Sequence, residues 1–330
     1  MSRAVSVKIH SSQFPENVWH DLLRSLRARQ INHKFHYDSI KQTQKWLALH
    51  QAYSPSRTDE NCVATYEKSF AAAAQRISAR KIHLIGLGCG GGQKDSCLLK
   101  LLKEQGKELF YTPSDVSVAM VLVAQQVANR IIPAKNCFPF VCDLESEETL
   151  TDIFSKDIPP GAKRLFTFFG MIPNFEPQNI LPKLSALLRR DDLLLFSANL
   201  APGKKYSAGV KKILPLYDND LTRDWLITFL TDLGIDQQDG HLGLTIEDCP
   251  IGRTKLKRVA AYFKFSRPSR IEIGEEQFDF RPGEKISLFY SYRHTPEGIT
   301  RLLAKQGILV LEQWVTNSEE EGVFLCRKFR

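Results

Sequence analysis

The spacing of apolar positions changes along the chain. Up to residue 75 it is helical: Val18, Leu22, Leu23 and Leu26 recur in steps of three and four, and Ile40, Trp46, Leu47 and Leu49 follow less regularly. The Pro-containing turn Tyr53–Arg57 separates these from a third helix, which Thr58 or Asp59 can cap and which runs through Ala71–Ala74. Beyond it, short apolar runs alternate with helical segments. Lys81–Leu87, Leu109–Pro113, Phe138–Cys142, Leu165–Phe169 and Leu193–Leu200 read as strands, with helices around Cys97–Leu102, Ser117–Ile131 and Ile180–Leu188. Strands apolar on both sides need cover on both faces, so the expected fold is α/β with a doubly wound, Rossmann-like parallel sheet.

Past Leu200 the alternation stops. Residues 201–285 read as a basic loop, a helix over Asp220–Leu233, and strand-like segments at Val259–Phe265, Ile271–Ile273 and Phe278–Phe280, which suggests a smaller α+β lobe. A helix over Pro296–Gln306 and strands over Ile308–Val315 and Val323–Phe329, around a polar turn, are expected to rejoin the first sheet. A closing antiparallel hairpin of that kind ends the sheet of class I methyltransferases, whereas a simple dinucleotide fold ends on a parallel strand. The expected division is 1–75 as the helical part of a second lobe, 76–200 with 286–330 as the Rossmann-like domain, and 201–285 as an insertion completing the lobe.

Composition adds few constraints. The chain has 330 residues, 43% hydrophobic and 25% charged, as in an ordinary globular protein. No apolar run is long enough for a bilayer span and Met1–His10 lacks the apolar stretch of a secretory signal, so a cytoplasmic protein without a membrane partner is expected. The seven cysteines are widely spaced, with no CxxC pair, and read as reduced thiols rather than a disulfide or metal framework. A formal charge of +8 raises the question of nucleic acid, but the basic residues are scattered in small groups such as Lys204, Lys205, Lys211 and Lys212. A nucleic-acid partner is not expected.

The strongest local signal is the glycine run Gly86–Gly92 after the first parallel strand. Glycines are needed where a strand turns sharply into a helix and a ligand approaches the backbone, and Gly88 and Gly90 are the pair assigned to a bound cofactor. Asp115 closes the second strand, where a carboxylate accepts two ribose hydroxyls, although a helix N-cap is an alternative role. Asp143 closes the third, placed to accept from an adenine amino group with Leu144 against the ring. NAD competes on these grounds; the terminal hairpin favours S-adenosylmethionine (SAM).

Several stretches resemble the histidine-specific methyltransferase family, whose best-known member makes the trimethylated histidine precursor of ergothioneine, and mark the chain as a divergent member. These are Tyr37-Asp38 with Tyr53-x-Pro-x-Arg57, Leu87-Gly88-Cys89-Gly90 with Gln93-Lys94, Pro113–Ser117, Cys142-Asp143, Phe169–Phe175, Tyr217–Asp220 and Ser291-Tyr292-Arg293. The resemblance implies that Lys94 joins the cofactor site, that Asn174 and Tyr217 hold an amino acid's carboxylate, that Tyr53 positions its amine and that Tyr37 faces it. An amide and a phenol grip a carboxylate without adding a charge that competes with the sulfonium. Two departures stand out. The segment Gly170–Asn174 is one residue shorter than the family form. Phe289 occupies the place, two residues before Ser291, where the family carries the Glu that binds imidazole. A phenyl ring leaves an imidazole N–H unpaired, at a cost of about 1–3 kcal/mol, so an apolar or aromatic amine suits Phe289 better than histidine.

The expected activity is therefore SAM-dependent N-methylation of an amino acid or related small amine other than histidine, by a monomer. Alignment of nucleophile, methyl and sulfur would supply most of the catalysis. A hydroxyl or water near Tyr53 or Ser291 would take the proton. A nucleic-acid methyltransferase and an inactive cofactor-binding scaffold remain as alternatives; against the first, Ile172-Pro173-Asn174-Phe175 lacks the double proline usual after strand four in that class.

Overall fold

The structure, a computed structural model, describes residues 5–146, 151, 154, 159–251 and 255–329. In chain order its main elements are β1 (Lys8–Ile9), α1 (Pro15–Ala28), α2 (Ile40–Tyr53), α3 (Pro55–Thr58), α4 (Glu60–Gln75), β2 (Lys81–Leu87), α5 (Gln93–Glu104), β3 (Glu108–Asp115), α6 (Val118–Ala128), β4 (Phe140–Val141), β5 (Lys163–Phe168), α7 (Pro177–Leu187) and β6 (Leu193–Asn199). There follow α8 (Tyr206–Tyr217), α9 (Asp220–Asp232), β7 (Gly240–Asp248), β8 (Lys257–Phe265), β9 (Ser269–Ile273), β10 (Glu276–Phe280), β11 (Lys285–Arg293), α10 (Pro296–Lys305), β12 (Ile308–Val315) and β13 (Glu321–Lys328). Two compact units result, one of residues 1–13, 55–200 and 294–330, the other of 14–54 and 201–293. Among the described residues no helix is long and apolar enough to cross a membrane.

The first unit is built on a sheet of order β1-β4-β3-β2-β5-β6-β13-β12, parallel through β6, with β13 antiparallel to both β6 and β12. The expected parallel sheet and closing hairpin are present. Side chains alternate across each strand. Leu84, Leu165, Leu193, Leu195 and Val323 pack with Phe70 and Ala73 of α4 and Leu98 and Leu102 of α5. Their neighbours Ile85, Phe166, Leu194, Phe196 and Phe324 pack on the opposite face with Ile180 and Leu184 of α7 and Leu302 and Leu303 of α10. This two-sided burial explains why apolar residues stand at adjacent positions in these strands instead of alternating with polar ones. Strand order reverses at β2, which lies between β3 and β5, and in open α/β sheets ligands bind outside the carboxyl ends of strands at such a point.

In the second unit β11-β8-β7 form an antiparallel sheet and β9–β10 a hairpin. Its core joins Leu23 and Leu26 of α1, Trp225, Leu226 and Leu230 of α9, and Phe263, Phe265 and Phe289 of the sheet. Residues 55–75 and 1–13, read from sequence as part of this lobe, lie in the first unit: α4 packs on the parallel sheet and β1 pairs with β4. Residues 286–293 belong instead to the second unit, because β11 pairs with β8 from Lys285 to Arg293. Part of the expected basic loop is the helix α8. There Gly209 is pressed against the Pro202 carbonyl, where a Cβ would come within 2.2 Å, and Val210 and Ile213 are buried.

Candidate active site

After β2 the chain turns through Gly88, Gly90 and Gly92 at φ of +64, +52 and +71°, left-handed backbone that costs an L-residue about 1–2 kcal/mol. A Cβ on Gly88 would lie 2.4 Å from the Met171 methyl carbon, and Gly92 opens α5. The Cys89 N–H donates to the Ser114 carbonyl at 2.9 Å and fastens the turn to the end of β3.

Asp115, the last residue of β3, faces this turn. One carboxylate oxygen accepts the Gly90 N–H at 2.9 Å and the other accepts the Ser117 N–H at 3.0 Å. Burial pushes the carboxyl up from its ordinary value, and the N–H groups of Ser117, Gly90 and Val116 draw it partly back. Two carboxylate oxygens offer about four acceptor positions, so two vicinal hydroxyls can be accommodated beside those N–H groups. Asp143 stands two residues beyond β4, whose Val141 is in register with Asp115. Its carboxylate accepts the Glu145 N–H at 2.8 Å, and its own N–H donates to Ser12 Oγ at 3.0 Å. Ser12 is in turn 3.0 Å from His10 Nδ1. Leu144 is buried against the sheet core. Gly88, Gly90, Asp115, Asp143 and Leu144 are thus brought together at one sheet edge beside the switch point. The chain before α1 contributes Ser12 there, which nothing in the sequence signals.

Lys94 lies in the first turn of α5. Its ammonium donates to Tyr66 Oη at 2.8 Å and stands 3.6 Å from the Glu321 carboxylate, while Tyr66 donates to Glu321. The ammonium also sits 4.2 Å from the centre of the Tyr66 ring. These contacts tie the start of α5 to α4 and β13.

Asp95, also in the first turn of α5, carries no signal in the sequence. It is buried beneath the glycine turn and accepts the hydroxyls of Tyr111 and Thr167, each at 2.7 Å. Gly86 is glycine for the same reason, since a Cβ there would lie 2.2 Å from the Asp95 carboxylate. Burial pushes the Asp95 carboxyl up to about 6, against the pull of those two hydroxyls. A raised acid favours the fold in its protonated form, so this contribution is complete below the unfolded value of about 4 and is lost as pH rises to about 6. Asp95→Asn, which donates to one hydroxyl and accepts from the other, is expected to unfold with less loss of stability between pH 4 and pH 7 than the wild type. Urea titrations at both pH values measure this; parallel losses would show that Asp95 is not the group responsible.

The residues proposed for the acceptor fall in both units. Asn174 ends a short turn after β5, where its N–H donates to the Met171 carbonyl at 3.0 Å. In the second unit a bulge between Ser287 and Phe289 sets the register of β11, after which Phe289, Ser291 and Arg293 alternate onto one face. Tyr217, ending α8, meets this row. Its ring lies 6.2 Å from Phe289, its hydroxyl donates to Ser291 Oγ at 2.7 Å, and Arg293 Nη2 donates to its oxygen at 2.6 Å. Phe289 also packs on Trp225 at 5.6 Å and stacks on His33 at 5.0 Å. Tyr37 meets Trp46 and Trp225 at 5.9 and 5.5 Å, whereas Tyr53, at the end of α2, is exposed. Burial lowers His33 well below its ordinary value and His36 to about 4, so both imidazoles beside this aromatic group are neutral at physiological pH.

Comparison with known proteins decides the family. A model described as histidine-specific methyltransferase, SAM-dependent, matches residues 18–328. The chain belongs to that family. It is 25% identical over 285 residues to the N-methyltransferase imqF of Aspergillus flavus, covering 82% of this chain and 73% of that protein. It is 23% identical over 294 residues to the histidine N-alpha-methyltransferase of Mycobacterium tuberculosis, covering 84% and 83%. Among solved structures, magnesium protoporphyrin IX methyltransferase from Synechocystis with bound S-adenosylhomocysteine has a TM-score of 0.48 at 13% identity, covering 90% of this chain and 97% of that one. The protein is a SAM-dependent methyltransferase. The glycine turn and a buried carboxylate with acceptor capacity fit a nucleoside cofactor.

Proposed function

We propose that the enzyme transfers a methyl group from SAM to the amine nitrogen of an amino acid whose side chain is apolar or aromatic, and that it does so in the cytoplasm. The observation that carries this reading is Phe289, which stands where the family pattern places the imidazole-binding Glu and lies against Tyr217, Trp225 and His33. A flat apolar side chain gains from burial beside such rings, while a histidine side chain would meet no carboxylate at this position. In the cofactor site Asp115 takes the ribose hydroxyls, Asp143 and Leu144 the adenine, and Gly88 and Gly90 the close approach of the cofactor to the backbone. For the acceptor, the family pattern assigns the carboxylate to Asn174 and to Tyr217, the latter acting through Ser291, the amine to Tyr53, and a place facing the substrate to Tyr37.

When bound, SAM supplies an electrophilic methyl on a cationic sulfur. With SAM held there, an amine present as the free base would gain a nitrogen–carbon bond as the carbon–sulfur bond broke, and one N–H proton would leave to water. The protein's part is alignment and exclusion of solvent, worth up to about 7–11 kcal/mol in favourable cases.

The test is methyl transfer from labelled SAM to each proteinogenic amino acid and to RNA and DNA. The expected result is transfer to phenylalanine, tyrosine, tryptophan or a branched aliphatic amino acid in preference to histidine. Preference for histidine would overturn the specificity reading. Transfer only to nucleic acid, or cofactor binding with no transfer to any acceptor, would overturn the amino-acid reading.

A further inference from the structure

The contacts around Tyr217 carry directional information about the acceptor site. A guanidinium has hydrogen-bond donors and no acceptor, so the Arg293 Nη2 contact of 2.6 Å fixes the Tyr217 oxygen as the acceptor. The phenolic hydrogen is then directed at Ser291 Oγ, 2.7 Å away. Ser291 receives that hydrogen, and its own hydroxyl hydrogen is left as a donor. Arg293 and Ser291 project from the same face of one strand, and both are buried. Arg293 is further fixed through its backbone: its carbonyl accepts the Tyr206 hydroxyl at 2.7 Å, and the same hydroxyl accepts the Lys257 N–H at 2.8 Å.

We infer that Arg293 is a positioning residue that sets the polarity of the Tyr217–Ser291 pair, so that the pair ends in one donor, the Ser291 hydroxyl, directed to an anionic group, the carboxylate of the acceptor. This rests on the amino-acid reading above and deepens it. Arg293 acts through Tyr217 and does not touch the substrate. The same ordering makes Ser291 a donor toward the ligand and removes it as the group that takes the amine's proton. Chains of hydrogen bonds polarise one another in a low-dielectric setting, which strengthens the terminal donor toward an anion.

The experiment is calorimetric titration of the full-length protein, saturated with S-adenosylhomocysteine, with L-phenylalanine and with phenethylamine, which lacks only the carboxylate. Wild type is expected to bind the amino acid at least tenfold more tightly than the amine. Arg293→Met is expected to lose most of that preference, with affinity for the amine changed less than threefold. Arg293→Lys, which keeps a cationic donor, should recover part of it. A variant that merely loosened the fold would weaken both ligands alike. A full preference retained by Arg293→Met would overturn the role of Arg293 while leaving the amino-acid reading intact. Equal wild-type affinity for the two ligands, or binding of neither, would overturn both.

Discussion

Asp115→Ala is expected to weaken binding of S-adenosylhomocysteine by two to three orders of magnitude. The carboxylate has two tasks at the end of β3. It accepts the Gly90 and Ser117 N–H groups, which holds the glycine turn in shape, and in the proposed cofactor site it takes the ribose hydroxyls. Hydrogen bonds to a charged acceptor contribute about 1.5–3 kcal/mol each, so losing two to the cofactor, each near the lower end of that range, costs about 3–4 kcal/mol, at about 1.4 kcal/mol per tenfold. Asp115→Asn keeps one acceptor oxygen and should lie between. Calorimetry on the three proteins reads this directly, and an alanine variant within threefold of wild type would place the ribose elsewhere.

The largest expected effect on stability lies away from the site, at the ion pair between Arg164 at the start of β5 and Asp192 just before β6. Both side chains are buried, at 3% and 6% exposure. Asp192 accepts Nε and Nη2 of Arg164 and also the Arg189 N–H, while Nη2 donates to the Leu187 carbonyl. Removing one partner leaves the other charge buried without compensation, which costs about 3–5 kcal/mol. Asp192→Ala should therefore lower the urea midpoint sharply. The double variant Arg164→Met with Asp192→Leu, which removes both charges and keeps apolar volume, should recover most of the loss. A single variant within about 1 kcal/mol of wild type would mean that solvent reaches the pair.

Much of the nucleotide-binding unit was legible because its signals are local. Runs such as Lys81–Leu87 and Leu193–Asn199 are largely apolar on both sides, since both faces are covered, and Gly88, Gly90, Asp115 and Asp143 each follow or close such a run. What the sequence hid depends on contacts distant along the chain. β1 is two residues long and exists as a strand only through β4. The segment Tyr206–Tyr217 carries Gly209, Pro215 and two lysines, and its helical form comes from packing of Val210 and Ile213 rather than from propensity. β11 looked like the return to the first domain because its apolar character does not say which sheet it joins; pairing with β8 decides that. Asp95, Tyr66 and Glu321 carry no motif, and only the fold brings Asp95 to Thr167 and Glu321 to Lys94. Phe289 was legible as a departure from the family pattern; the aromatic group around it was not.

The central claim is that a nucleoside lies across the carboxyl ends of β2, β3 and β4. A crystal structure of the protein with S-adenosylhomocysteine measures it most directly. The account expects both ribose hydroxyls within hydrogen-bond distance of the Asp115 carboxylate and the adenine beside Asp143 and Leu144. A cofactor bound elsewhere, or ribose hydroxyls held by other groups with Asp115 turned away, would contradict it.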